Sequence, residues 1–213
     1  KAYDPAILFH CDGVQGFLKV PGPLARLGAD LVAVSGHKIG APKGIGALYV
    51  KKGVRLRPLL TGGGQEDGLR SGTEATAQIA AFAAAVEAAG RAQTRLERTA
   101  AIKGYTLEQL KKAVPRVEVI SAGDAPHICA ISLPGYKSEV VVRVLGDRGI
   151  CVSSGSACHR GKPSHVFAAM GLPKPWLDGA VRLSFSPEST RAEADALVSA
   201  LKDAADTLFT TLS

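Results

Sequence analysis

The chain has 213 residues, 46% of them hydrophobic and 5% aromatic, and its 26 basic and 19 acidic side chains give a net charge of +7. This composition fits a soluble globular protein of one large or two small domains and excludes a mainly disordered chain. No run reaches the ~18–20 uncharged apolar residues of a membrane helix, since the alanine-rich stretch 75–90 carries Glu87.

Taken in order, residues 6–12 (AILFHCD) form a short apolar run ending in an acid and predict a buried strand. Residues 31–35 (LVAVS) and 47–51 (ALYVK) predict two more. Runs this uniformly apolar point to a mostly parallel sheet covered on both faces. Gly62, Gly63 and Gly64 mark a loop, and residues 74–113 predict one long helix or two in series, broken near Gly90 and Gly104. Beyond Pro115 the pattern gives strands at 117–120 and 128–133, a helix at 138–148 and a strand at 151–153. A loop of small residues then leads to Cys158, followed by a strand at 180–185 and an amphipathic helix at 191–212. The expected fold class is α/β. A sheet-bearing part occupies 1–75, a linking helix 76–114 and a small α+β domain 115–213.

The basic excess lies in the first 114 residues, because residues 115–213 balance at ten basic and ten acidic. Nucleic acid is not expected as a partner, since there is no Lys/Arg block, aromatic-interleaved basic stretch or zinc-finger spacing. An anionic small ligand or an acidic protein accounts for the excess equally well. The cysteines Cys11, Cys129, Cys151 and Cys158 form no C-x-x-C pair. A chain of this size needs no disulfide staples, so free thiols in a reducing, cytoplasmic compartment are expected. The opening Lys-Ala-Tyr-Asp-Pro carries no leader pattern and reads as cut from something longer.

Asp12, Gln15, Ser35, His37 and Lys38 fall at or just past the carboxyl ends of predicted strands, the edge where open α/β sheets bind ligands. A lysine there is placed to form an imine with an aldehyde cofactor. Pyridoxal phosphate needs such an amine, an acid against its ring nitrogen and donors for its phosphate. Lys38, Asp12 and the Ser35–His37 pair match those needs; the alternative is an exposed loop lysine beside a turn histidine. Cys158 follows five small residues and precedes His159, Arg160 and Lys162, which favour a thiolate. Cys11, Cys129 and Cys151 sit in predicted strands and read as core thiols. Arg182 interrupts an apolar strand and needs a partner, either a ligand carboxylate or a structural ion pair. The loop 62–73 (GGGQEDGLRSGT) carries Thr73 and is by itself weak evidence of phosphate binding.

Together these segments resemble the cysteine desulfurases, class V aminotransferase-like, fold-type I pyridoxal-phosphate enzymes. The likeness rests on Ser35-Gly36-His37-Lys38 with the APKGIGALYV that follows, and on His10-Cys11-Asp12 with Gln15. It also rests on GGGQE…GLRSGT, Leu133-Pro134-Gly135 with Ser138-Glu139, and residues 153–158, all in family order over nearly the whole chain. The resemblance implies pyridoxal 5'-phosphate as cofactor, with Lys38 as Schiff-base lysine and proton shuttle and Asp12 as ring-nitrogen partner. Gln15 would meet the phenolic oxygen, Ser35 and His37 the phosphate, and Thr73 the phosphate of the neighbouring subunit of a homodimer. Cys158 would take the sulfur of substrate L-cysteine as a persulfide, releasing alanine, and Arg182 would clamp the substrate carboxylate. An iron–sulfur scaffold or another acceptor protein would receive the sulfur. Two departures stand out. Asp67 occupies a position usually basic, and family chains are roughly twice as long, with an N-terminal part that supplies further sheet, a phosphate loop and a stacking aromatic residue. The alternatives are a selenocysteine or cysteine lyase of the same family, or a non-catalytic binding remnant.

Overall fold

Three apolar runs early in the chain build one small sheet. The computed structural model describes residues 3–22, 24–90, 92–154 and 164–208 and divides the chain into two units, Lys1–Gln93 and Thr94–Ser213. In unit 1, strands β1 (His10–Asp12), β2 (Leu31–Ser35) and β3 (Gly46–Val50) lie in the order β1-β2-β3. β1 runs parallel to β2, with Asp12 opposite Ala33. β3 runs antiparallel to β2, with Leu31 opposite Val50 and Ser35 opposite Gly46. The mostly parallel sheet expected from the sequence thus holds for one pairing of two. Residues 36–45 are too few for the crossover of roughly a dozen residues that a parallel return requires.

β1 is also shorter than residues 6–12. The Ala6 N–H donates to Asp4 Oδ1 at 2.7 Å and the Ile7 N–H to the Asp4 carbonyl at 3.3 Å, so a turn occupies the first part of that run. Asp30, only 2% exposed, ties the three strands together. Its Oδ2 accepts the Phe9 N–H at 2.8 Å, its N–H donates to the Phe9 carbonyl at 2.8 Å, and its Oδ1 lies 3.6 Å from Lys51 Nζ. Helix α1 (Thr76–Gly90) has Glu87 as its one charged residue, and none of its described side chains is buried. Phe82 on α1 meets Phe17 with ring centroids 6.5 Å apart.

Unit 2 holds α2 (Ala92–Ala113), β4 (Glu118–Ser121), β5 (Ile128–Ser132), α3 (Ser138–Asp147), α4 (His165–Ala169), α5 (Lys174–Asp178), β6 (Ala180–Ser184) and α6 (Arg191–Thr207). Its sheet, β4-β5-β6, is antiparallel throughout. Alternation puts Val181 and Leu183 of β6 into the core, where they join Ile131, Leu110, Val141, Leu145 and Leu201. α6 begins with a capping box in which the Glu193 N–H donates to Thr190 Oγ1 and the Thr190 N–H to Glu193 Oε2. Lys103 is buried, and its ammonium donates to the carbonyls of Ala122, Gly123 and Ala125 at 2.7, 3.0 and 2.8 Å.

Four expectations change here. Gly104 does not break α2, because one exposed glycine costs only ~1 kcal/mol in a helix held by Leu107 and Leu110. Residues 151–153 form no strand, only a single bridge from Ser153 to Arg182. The short helices α4 and α5 have no counterpart in the sequence reading. Of the three cysteines read as core thiols, Cys129 is buried, Cys11 half-buried and Cys151 exposed, since it stands on the connection after α3, outside any ladder. No helix among the described residues is long and apolar enough to cross a membrane.

Candidate active site

Parallel pairing brings the carboxyl ends of β1 and β2 to one edge of the sheet, and both strands turn sharply there. After Asp12 the Gly13 N–H donates to the Ala33 carbonyl at 2.9 Å, and the chain curls back with Gly16 and Phe17 N–H groups on the Gly13 carbonyl. After Ser35 a single 3-10 turn covers Gly36–Lys38. Gly36 is packed so tightly that a Cβ there would stand 2.8 Å from Ile45 Cγ2 and 3.1 Å from Ala41 Cβ. Only glycine lets these backbones approach, and that approach fixes the turn presenting Ser35, His37 and Lys38.

Five of the predicted residues therefore share one sheet edge. Ser35 Oγ and His37 Nδ1 lie 2.7 Å apart, a direct hydrogen bond. Asp12 is exposed, and its Oδ1 accepts the Val14 N–H at 3.0 Å. Gln15 is exposed on the turn after β1, and Lys38 is half-buried on the turn after β2. Sequence reasoning missed Lys19, whose N–H donates to the Gly16 carbonyl on the same turn as Gln15. Burial first, and then the charge of Lys38, push the Lys19 ammonium below its ordinary range. No periodicity marks such a residue. Its sequence signal is only that it lies on the turn that Gln15 opens.

Thr73 stands apart from these five. It lines an open cavity of about 440 Å³ formed by the glycine-rich loop. There Ser71 Oγ accepts the Gly63 N–H at 2.9 Å and donates to the Gly63 carbonyl at 3.0 Å, while Gln65 Oε1 accepts the Gly72 N–H at 3.2 Å. Asp67 adopts φ +55° inside this loop. In unit 2, Arg182 sits mid-strand opposite Ala130 on the face away from Val181 and Leu183. Its N–H donates to the Ser153 carbonyl at 2.7 Å. Its Nε is buried with no acceptor among the described residues. Cys158 lies outside the described residues.

An amine, a carboxylate, an amide and a hydroxyl–imidazole pair thus stand on one sheet edge. Among the described residues no group of His, Cys, Asp and Glu is arranged to hold a metal ion. Residues 1–197 match the family model Aminotransferase class-V. Cysteine desulfurase 2 of Trichormus variabilis is 42% identical over 200 residues, which cover 92% of this chain and 50% of that protein. A solved NifS-like protein superposes with a TM-score of 0.85 at 30% identity, over 98% of this chain and 55% of its own. The NifS-like protein from Rickettsia africae gives 0.83 at 30%, over 94% and 54%. The chain spans about half the length of the relatives it matches.

Proposed function

Since this chain belongs to the class-V aminotransferase family, we propose that it forms the lysine-bearing part of a pyridoxal-phosphate cysteine desulfurase, which turns L-cysteine into L-alanine and passes the sulfur to Cys158. The observation that carries this reading is the gathering of Asp12, Gln15, Ser35, His37 and Lys38 at the shared end of β1 and β2. The donor set fits the cofactor: the Lys38 amine for its aldehyde, Asp12 for its ring nitrogen, Gln15 for its phenolic oxygen, and the Ser35–His37 pair for its phosphate. Thr73 would serve the phosphate of a second subunit in a homodimer. In this reading residues 1–75 belong to the cofactor domain, 76–114 link and 115–213 form the small domain.

When bound, pyridoxal phosphate supplies the electron sink that lets substrate bonds at Cα and Cβ break. Lys38 Nζ would hold the cofactor's aldehyde and, once unbound, would move the proton at the substrate α-carbon. Arg182 orients the substrate by its carboxylate, with the buried Nε as one donor. The Cys158 thiolate attacks the substrate sulfur: an S–S bond forms, the C–S bond breaks, and its electron pair returns to carbon and takes a proton to give alanine. The resulting persulfide is delivered to an acceptor protein such as an iron–sulfur scaffold, and the compartment is cytoplasmic.

Borohydride reduction in the presence of pyridoxal phosphate, followed by peptide mapping, should leave a pyridoxyl group on Lys38. A label on Lys43, which lies between Pro42 and Gly44, overturns the assignment. In a catalytically complete form, Cys158→Ala should keep the label on Lys38 yet release no sulfide from cysteine; undiminished sulfide moves the nucleophile elsewhere.

A further inference from the structure

The connection after β1 carries a cation that the donor set of the proposed site leaves unused. From Gly13 to Val20 the chain winds through two successive tight turns. The Gly16 and Phe17 N–H groups donate to the Gly13 carbonyl at 3.0 and 2.8 Å, and those of Lys19 and Val20 to the Gly16 carbonyl at 3.0 and 3.1 Å. Contacts on both sides fix this path. A Cβ at Gly13 would stand 3.0 Å from Val32 Cγ1 and 3.2 Å from the Ala33 carbonyl oxygen, so the first turn is seated directly on β2. Phe17 docks on Phe82 of α1. Leu18, next in the chain, adopts φ +56°, a conformation that residues with a side chain rarely hold and keep only where their surroundings impose it. Lys19 follows this reversal and is half-buried.

An ammonium drawn in from water is ordinarily matched by a carboxylate. Among the described residues no carboxylate acts on Lys19; burial first, and then the like charge of Lys38, bear on it. Asp12 is the carboxylate of this edge, and it accepts the Val14 N–H. Asp30 pairs with Lys51 at the opposite end of the strands. We propose that Lys19 is a specificity residue of the site: its ammonium attracts and holds the anionic group of the ligand whose aldehyde Lys38 takes, and so selects a phosphorylated aldehyde over its neutral counterpart. The inference rests on the cofactor reading given above and adds a residue to it. Like charges held together without a counter-ion are relieved by an anion, and the attraction acts beyond contact distance. The Ser35 hydroxyl and the Gln15 amide supply hydrogen bonds and no charge. Lys38 is committed to the aldehyde, which leaves Lys19 to meet the anion with a charge-assisted contact.

The test compares two aldehydes on the full chain, pyridoxal 5'-phosphate and pyridoxal, each trapped on Lys38 with borohydride and counted by peptide mass mapping. Lys19→Gln should lower the ratio of the two labelling rates, phosphorylated over neutral, by about fivefold or more, while the pyridoxal rate stays unchanged. Lys19→Arg keeps the charge and should keep the ratio. The pyridoxal rate doubles as the control for folding, because damage to the turn would slow both aldehydes alike. An equal slowing of both in Lys19→Gln, a ratio indifferent to residue 19, or loss of the ratio in Lys19→Arg overturns the inference and leaves the cofactor reading standing. A pyridoxyl group found on Lys19 itself overturns it too, since Lys19 would then be an amine that takes the aldehyde. If neither aldehyde labels Lys38 in the unaltered chain, the cofactor reading falls and the inference falls with it.

Discussion

The two units bury their apolar residues to very different extents. Unit 2 closes its apolar residues between a three-stranded antiparallel sheet and α3 and α6, so that Ile131, Leu145 and Leu201 are wholly enclosed. Among the described residues of unit 1, Val32 is the one large apolar side chain below 2% exposure. It is held by backbone pairing and by the buried carboxylate of Asp30 more than by packing. The site residues gathered at the sheet edge, Lys38 among them, belong to the unit with the weaker interior. Arg182 stands in the better packed unit.

The sharpest way to break this comparison is a pair of truncations read by Trp176, the single tryptophan, which sits on α5 and reports unit 2 alone. Leu201→Ala should lower the urea stability of unit 2 by ~2–5 kcal/mol. Leu48→Ala should change the same transition by less than ~0.5 kcal/mol. Equal losses would mean that the two units share one interior. Next in size, Lys103→Met leaves three carbonyls without their ammonium and should cost about 2–3 kcal/mol, with faster exchange of the β4 amides. An unchanged transition would show that water replaces the ammonium freely.

The cysteines sharpen the contrast within unit 2. Burial pushes the Cys129 thiol from its ordinary 9.0 up to about 11, with Lys103 opposing in part. Because the folded state holds this proton more tightly, the associated stability is fully present below about pH 9. It is lost as pH climbs toward about 11, a decline of roughly 2–3 kcal/mol. Iodoacetamide at pH 8 should therefore label exposed Cys151 and reach Cys129 only after unfolding, as peptide mass mapping can read. Early labelling of Cys129 would contradict a closed core. The smallest effect is expected from Arg148→Ala. It removes the 2.6 Å ion pair with Asp203 between side chains 42% and 49% exposed, and should shift stability by less than ~0.5 kcal/mol.

Much of this architecture is legible in the residues themselves. The run at 31–35 is β2 without adjustment, because a central strand needs apolar residues on both faces and has them. Residues 6–9 read equally well as strand, yet a turn closed on Asp4 takes up the start of that run and pairing with β2 begins at His10. Apolarity signals burial, and the covering element is not encoded locally. The antiparallel return of β3 was available from connection length alone. Pro175 in the first turn of α5 was likewise a usable start signal. For the candidate site, the SGHK turn pointed to Lys38, Ser35 and His37, and the structure places them with Asp12 and Gln15. Lys19 escaped notice because its relation to Lys38 arises only when two strands far apart in sequence lie side by side.

Asp30 also says something about the order in which the first sheet assembles. It stands 21 residues from Phe9 and the same distance from Lys51, and holds both. The connections it locks are unequal: residues 36–45 join β2 to β3, while residues 13–30 join β1 to β2. Closing the longer connection costs ~0.5 kcal/mol more in chain entropy, and β1 offers only three paired residues in return. Both terms favour prior formation of the β2–β3 hairpin, with β1 and Asp12 adding to it later, an order that φ-values at Val32 and Cys11 would test.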